Sequence, residues 1–390
     1  MAAEERTTPY QPSLPRRIAT TVEIGIVAAL SRTFLYALNR TEAPGLEKFL
    51  DVLDSRYDES KRERGLITDD PMIWGVLPYS YHWSPGNMRW SLGSYDICFR
   101  NRLQTAFFSY GNTLPTHRLA HSPHGGLFQP TITECIRLLS NPHGKPGTPP
   151  SIRAASQPQP PSDPFSSGTL TYSTTGSDAI FSPSAYRSNK YSWIHIFPEG
   201  MTHQHPDHLM RYFKWGVARL ILESEPCPDV MPIWIDGPQE VMSYERTWPR
   251  FIPRANKDIE IRFGDLVDRE KTWSGFRRRW AELQDRARRR RAGSLTSDRG
   301  AGEVEDSLGV VNDDDLRYGE EARQLRIEVT LAVRNEVLKV RRASGWPDED
   351  PKRGLAETYR LEGGGVMETE KVKGKGRGVK HGDGSGTEPV

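Results

Sequence analysis

The first strongly patterned stretch covers 18–38, where Ile18, Val22, Ile24, Ile26, Leu30, Phe34, Leu35 and Leu38 form an apolar segment interrupted by Glu23 and Arg32. A spanning helix needs about 20 mostly apolar residues, and an embedded Glu costs roughly 2–3 kcal/mol. The pattern therefore predicts a helix lying in a membrane interface, with an ordinary buried helix as the competing reading. Farther along, 130–139 has helical spacing and Trp193-Ile194-His195-Ile196-Phe197 reads as a strand. Phe213, Gly216, Val217, Leu220 and Ile221 share one face of a helix over 213–223, 230–235 is a second buried strand, and 259–264 alternates as a third. Strand, helix and strand in succession predict an α/β layered fold. The last periodic stretch, 321–342, repeats Leu325, Val329, Val333, Val337 and Val340, an amphipathic helix that packs on the domain or on a membrane.

Two stretches lack any period. Residues 141–189 include PHGKPGTPPS and QPQPPSDPFSSG, which sustain neither helix nor ladder and predict a disordered insertion. Both of its flanks look folded, so it interrupts one domain and does not separate two. The expected organisation is a disordered N-terminus over 1–16, an α/β domain over 17–267, a helical region over 268–344 and a disordered tail over 345–390. Glu4 and Glu5, with no apolar core beside them, argue against a cleaved leader.

Only 36% of the 390 residues are hydrophobic, which agrees with substantial chain outside the core. The formal net charge of +2 excludes a general nucleic-acid binder, leaving only local patches such as 277–279 and 286–291, interleaved with Trp273, Phe276 and Trp280. That run would attract anionic lipid at about 1 kcal/mol per basic residue, form a solvated helix face, or serve as a nucleic-acid footprint. Cys98, Cys135 and Cys227 are too few and too scattered for a disulfide scaffold or a Cys-based zinc site, which fits a reducing compartment.

The candidate chemistry begins at Phe197-Pro198-Glu199-Gly200, directly after a strand. Open α/β sheets bind ligands at the carboxyl ends of their strands, where such a turn offers a carboxylate and backbone N–H groups to a polar head. A plain strand-to-loop turn with a solvated Glu is the alternative. His203, His205, Asp207 and His208 superficially resemble a zinc site, but a probable loop offers no fixed backbone, so they read as a polar lid and no metal is expected. His82, His117, His121 and His124 read as exposed or loop histidines.

Longer ordered matches accumulate around that turn. They are Gly65-Leu66-Ile67-Thr68 with Asp69-Asp70-Pro71-Met72-Ile73-Trp74-Gly75; Met88-Arg89-Trp90; Asp96-Ile97-Cys98-Phe99; Trp193 to Gly200; Arg211-Tyr212-Phe213-Lys214-Trp215-Gly216; Met231-Pro232-Ile233-Trp234; and Trp248-Pro249-Arg250-Phe251. In these the chain resembles the tafazzins, transacylases that remodel cardiolipin, within the glycerolipid acyltransferase family, over roughly 18–267 apart from the insertion. The resemblance implies a mixed sheet with surrounding helices and transfer of acyl chains between phospholipids and lysophospholipids, monolysocardiolipin included, without a soluble cofactor. It implies that Phe197, Pro198, Glu199 and Gly200 hold the glycerol-phosphate part of the lipid. It also makes Arg118, at the end of Gly111-Asn112-Thr113-Leu114-Pro115-Thr116-His117-Arg118, a phosphate contact, for which a forked guanidinium is suited. An exposed ion pair is the competing role for Arg118. A mitochondrial membrane facing the intermembrane space is the implied location, with an oligomer or membrane complex left open and nucleic acid not a partner.

One departure stands out. The family uses His-x-x-x-x-Asp, in which the His takes the proton of the attacking hydroxyl and the Asp orients the imidazole. Tafazzins carry Asn-His shortly before Asp-Asp-Pro, whereas here Thr68 runs directly into Asp69-Asp70-Pro71, so the motif Asp is kept as Asp69 and the His is absent. An omitted in-frame stretch leaves intact flanks of this kind; a divergent, catalytically impaired lipid-binding homologue is the alternative.

Overall fold

A computed structural model describes residues 8–68, 73–83, 88–144, 165, 168–201, 204–244, 248–249, 251–295 and 307–361. Among them the strands are β1 (Arg40–Glu42), β2 (Leu66–Thr68), β3 (Trp90–Ser94), β4 (Thr113–Thr116), β5 (Thr171–Tyr172), β6 (Ile180–Phe181), β7 (Trp193–His195), β8 (Asp229–Met231), β9 (Ile233–Asp236) and β10 (Asp258–Phe263). The central sheet has the order β4-β3-β7-β2-β8, with every neighbouring pair parallel. The fold is thus mixed α/β, as the alternation of strand and helix patterns predicts.

A parallel sheet needs cover on both faces, and successive strand residues point to opposite sides. Leu66, Trp193 and Met231 accordingly enter one core layer with Leu35, Phe49 and Leu53. Their neighbours Ile67, Ile194 and Val230 enter the other, against helices Pro130–Leu139, Gly216–Glu223 and Glu320–Ala343. The second layer settles where the long C-terminal helix goes: Leu325, Val329, Val333, Val337 and Val340 are buried in the domain core.

The strand expected over 230–235 is divided at Pro232, which has no N–H for a ladder. β8 closes the parallel sheet, while β9 pairs antiparallel with β10 in a second sheet of order β1-β10-β9. The insertion also differs from the disorder that its composition suggests. Of its described residues, 168–189 hold the β5–β6 hairpin and two tight turns. Glu134 Oε1, fully buried, accepts from Ser182 Oγ at 2.9 Å and from the Ser184 N–H at 2.8 Å, tying this part to helix Pro130–Leu139. Residues 145–164, 166 and 167 lie outside the described residues.

The N-terminal helix starts at Leu14, before the apolar pattern, with Pro15 in its first turn, and runs through Arg32 into a π-helical turn Thr33–Ala37. Thr20, Ile24 and Ala28 face the domain. On the opposite side Leu14, Ile18, Val22, Ile26 and Leu30 are all more than half exposed, at 53–67%. Spacing of four puts these five on one helical stripe. Residues 8–13 precede the helix in ordered form, the backbone oxygens of Pro9 and Tyr10 accepting from the N–H groups of Arg187 and Ser188, and 1–7 lie outside the described residues.

Helix Ser274–Leu295 carries the basic run. Arg277 Nη1 donates to the carbonyls of Ile221 and Ser224 at 2.6 and 2.8 Å, capping the end of helix Gly216–Glu223, where a cation is favoured. Arg279 pairs with Glu328, Arg286 with Glu321 and Arg290 with Asp315. Much of the run's charge is therefore taken up by its neighbouring helices, while Trp273 and Trp280 are core residues. The tail is ordered beyond its expected start, with a turn Pro351–Gly354 and a helix Ala356–Leu361; 362–390 lie outside the described residues.

Candidate active site

Because β2, β3, β4 and β7 are parallel, their carboxyl ends open on one edge, the place where such sheets receive ligands. Thr68 ends β2 one residue before Asp69, which lies outside the described residues together with 70–72. Arg118 follows β4 by two residues, and Phe197 follows β7 by two. β4 and β7 are separated only by β3, with His195 at the end of β7 level with Ser91 and Thr113, and Thr116 at the end of β4 three residues farther along.

The turn after β7 is closed by a Gly200 N–H donating to the Phe197 carbonyl at 2.9 Å, with Gly200 at φ +70°, a left-handed conformation that suits glycine. Lys214 N–H donates to the Pro198 carbonyl at 2.6 Å, anchoring the turn to the next loop. Phe197 is 42% exposed and Pro198 is buried. Glu199 is half-buried, unlike the solvated carboxylate of a plain strand-to-loop turn. Its Oε2 accepts the backbone N–H of Arg211 at 3.3 Å, and Arg211 Nη1 donates to its carbonyl, also at 3.3 Å. Burial pushes the Glu199 carboxyl up to about 7, against the lowering effects of the Arg211 N–H and the Arg334 and Arg211 charges. A carboxyl that titrates near neutrality can both accept and donate a hydrogen bond.

Arg118 forms an ion pair with Asp96, its Nη2 reaching Oδ2 at 2.5 Å and its Nε reaching Oδ1 at 3.2 Å. Each side chain is 32% exposed, so the guanidinium is restrained by a carboxylate yet open on one side. Burial alone would raise Asp96, but hydrogen bonds from Arg118 and Ser94 outweigh it and hold the carboxyl down to about 2. Asp96 stands in one of the matched blocks, Asp96-Ile97-Cys98-Phe99, and was the signal in the sequence for a partner to Arg118.

The histidines divide sharply. His82 and His117, expected to be exposed or in loops, are 2% and 5% exposed. His82 Nε2 lies 3.1 Å from the Trp74 carbonyl, and His117 Nε2 lies 2.9 Å from Thr174 Oγ1 with its ring stacked on Tyr95. His121 and His124 are exposed. His208 Nδ1 is 2.7 Å from Asp236 Oδ1 and its ring stacks on Trp346, so it is a packing element of the loop; His203 lies outside the described residues. Among the described residues no group of three His, Cys, Asp or Glu side chains converges to hold a metal.

His195, a strand residue by its apolar setting in the sequence, stands at this edge. It is fully buried at the end of β7, beside Thr68 of β2 and Ser91 of β3. Neither ring nitrogen has a hydrogen-bond partner. Burial, with a smaller effect from the Arg89 charge, keeps the ring neutral far below the ordinary His range. Arg89 is itself buried, its guanidinium 4.2 Å from the Trp74 ring. A histidine within an apolar strand, directly before the turn, was the signal available in the sequence.

No protein-family model matches the chain. Among curated proteins it is 33% identical to tafazzin of Saccharomyces cerevisiae over 347 residues, 83% of this chain and 78% of the yeast protein. It is 25% identical to tafazzin of Drosophila melanogaster over 63% of this chain and 50% of that protein. It is also 27% identical to N-acylphosphatidylethanolamine synthase of Arabidopsis thaliana over 51% of this chain and 52% of that one.

Proposed function

Because this chain belongs to the tafazzin family, we propose that it is an O-acyltransferase that exchanges acyl chains between phospholipids and lysophospholipids and remodels cardiolipin by acylating monolysocardiolipin. The observation that carries this reading is the single carboxyl edge shared by Thr68, Arg118, His195 and the Phe197–Gly200 turn, which matches what a bound glycerophospholipid needs: a cation for phosphate and a tight polar turn for the glycerol. We assign the arrangement to a glycerolipid-acyltransferase-like fold.

In the reaction, the free hydroxyl of the lysolipid attacks the ester carbonyl of the donor lipid. Its proton passes to a base, the ester C–O bond breaks, and the leaving glycerol oxygen takes the proton back, so no soluble cofactor is consumed. Arg118 and the turn Phe197, Pro198, Glu199 and Gly200 hold the head groups, and Asp69 is the kept member of the family's His-x-x-x-x-Asp pair, which would orient the imidazole in a chain that carries the His. The exposed stripe of helix Leu14–Arg32 supports an interfacial position on a membrane; that this membrane is mitochondrial, with the protein on its intermembrane-space side, is what the family resemblance implies.

A second reading, a lipid-binding homologue with impaired catalysis, is favoured by one observation: Thr68 adjoins Asp69 with no His between them. One experiment separates the two. Purified protein, with and without an Asn-His-bearing stretch inserted between Thr68 and Asp69, is assayed for transfer of a labelled acyl chain from phosphatidylcholine to monolysocardiolipin. Transfer by the inserted protein supports the enzyme; lipid binding with no transfer in either supports the homologue.

A further inference from the structure

Three long side chains on helix Glu320–Ala343 face inward: Arg326, Arg334 and Arg341, each at most 2% exposed. A buried cation is costly unless paired and fully hydrogen-bonded. Arg334 and Arg341 meet that demand in a particular way, by binding the segment that follows the Phe197–Gly200 turn. Arg334 donates to the carbonyl of Met210 at 3.1 Å and of Arg211 at 3.3 Å, and Arg341 to the carbonyls of His208 and Asp207 at 3.1 and 3.3 Å. Glu349, from the stretch after the helix, completes the set: its carboxylate pairs with Arg334, lies 3.4 Å from Arg341, and accepts the Met210 N–H at 2.7 Å. The side chains of Arg334 and Glu349 are 2% and 0% exposed.

Arg211 is the next link, because it touches Glu199 twice, by its backbone N–H and by its guanidinium. A continuous chain of hydrogen bonds therefore runs from the C-terminal helix, through the backbone of Met210 and Arg211, to the head-group turn. We propose that the buried Arg334–Glu349 pair is a clamp that fixes Glu199 at that turn, making Arg334 and Glu349 positioning residues of the site and helix Glu320–Ala343 a part of it. The inference rests on the reading of the turn as the head-group site. It gives a role to a region whose sequence carries no recognisable chemistry.

The charged groups facing Glu199 are Arg211 from its own loop, Arg334 from the helix and Glu349 from the stretch after it; Arg334 lowers the Glu199 carboxyl and Glu349 raises it. A clamp therefore makes a signed statement that loosening of the loop does not. Glu349→Gln keeps an acceptor for the Met210 N–H and removes a negative charge, so the Glu199 titration midpoint falls. Arg334→Gln removes a positive charge, so the midpoint rises, by about 0.5 in pH or more if the guanidinium is within a few ångströms. Arg341 remains beside Glu349 in that variant and limits the loss of folding; Arg334→Lys keeps the charge and should keep the midpoint.

The test is a carbon-13 NMR titration of glutamate-labelled full-length protein, with the Glu199 signal assigned from Glu199→Gln, alongside binding to phosphatidylcholine vesicles doped with lysophosphatidylglycerol. Opposite shifts in the two glutamine variants, with Arg334→Lys like the parent, support the clamp. Shifts in the same direction, as solvation of an opened loop would give, or no shift, overturn it. If the midpoints move oppositely while Glu199→Gln leaves vesicle binding unchanged, the clamp stands and the assignment of the turn to head groups fails.

Discussion

Thr68 and His195 sit side by side at the last paired position of the parallel strands β2 and β7. The hydroxyl of Thr68 accepts from Trp193 Nε1 at 2.7 Å, while both nitrogens of His195 are left without a partner. An unsatisfied buried polar group costs about 1–3 kcal/mol, so folding gains nothing from an imidazole here. His195→Leu should therefore leave the protein equally stable or more stable at neutral pH. The pH dependence follows from the depressed value: the folded-state ring titrates well below 6.5, so stability is full above 6.5 and is lost as pH falls toward the folded-state value. The leucine variant should lose less stability than the parent on acidification. Denaturant unfolding of both proteins between pH 7.5 and about 5 checks this, and a steeper acid loss in the variant would contradict it.

The described part of the 141–189 stretch makes a distinction that its composition conceals. Removal of 145–164 with a short linker should leave the thermal transition nearly unchanged, because its Pro-rich composition has too few apolar side chains to build a core. Removal of 168–189 should destabilise by several kcal/mol, because it leaves the fully buried Glu134 without the Ser182 and Ser184 donors. Calorimetry on the two deletions provides the comparison; equal transitions would mean that the hairpin segment contributes no stability.

Periodicity made the scaffold legible wherever a single face decided the outcome. Helices Pro130–Leu139 and Glu320–Ala343, and strand β10, fall where their apolar spacing places them. Pro232 shows the limit: a continuous apolar run does not say that a missing N–H will send its two halves into different sheets. Low complexity failed over 168–189 because the groups that order it, the Ser182 hydroxyl and the Ser184 backbone N–H, gain their partner from Glu134 about 50 residues earlier. The candidate site was legible as motifs but not as environment. Glu199 could be named from its turn, whereas its inward orientation depends on Arg211, Arg334 and Glu349, which meet only in the folded chain.

Helix Leu14–Arg32 and its continuation to Ala37 are long and apolar enough to cross a membrane by length and composition alone. Its packing favours lying on one: Thr20, Ile24 and Ala28 are spent on the domain, and the stripe of Leu14, Ile18, Val22, Ile26 and Leu30 is exposed. Elements against it add exposed Leu103, Phe107, Tyr79 and Trp83. Ile18→Asp with Ile26→Asp should weaken binding to anionic vesicles by about tenfold or more, since each exposed side chain buried in the interface is worth on the order of 1 kcal/mol. The fold should be unaffected, as both positions face away from it. Vesicle flotation and protease protection supply the check, and ends of the helix found on opposite sides of a bilayer would refute the interfacial position.

The chemistry itself turns on the junction of Thr68 and Asp69. His82 and His117 are buried and engaged, and His195, though unpartnered, is fully enclosed, so the 390-residue chain should transfer acyl groups only at background rate while keeping its affinity for lipid. An Asn-His-bearing stretch restored between Thr68 and Asp69 should raise transfer to lysolipid by at least about 10²-fold, the usual contribution of a positioned base. In that background Asp69→Asn should lower transfer by leaving the imidazole in the wrong tautomer. Arg118→Ala should do so by removing a charge-assisted phosphate contact, and Arg118→Lys should recover only part of the loss because the forked pairing geometry seen with Asp96 is gone. Glu199→Ala should also reduce transfer, with an effect that depends on pH around 7, where the parent carboxyl changes charge. Rates measured with a labelled phosphatidylcholine donor and monolysocardiolipin acceptor decide each case. Full activity in the unrestored chain would move the role of base to a histidine already present, and His195, the register partner of Thr68, would be the first to replace.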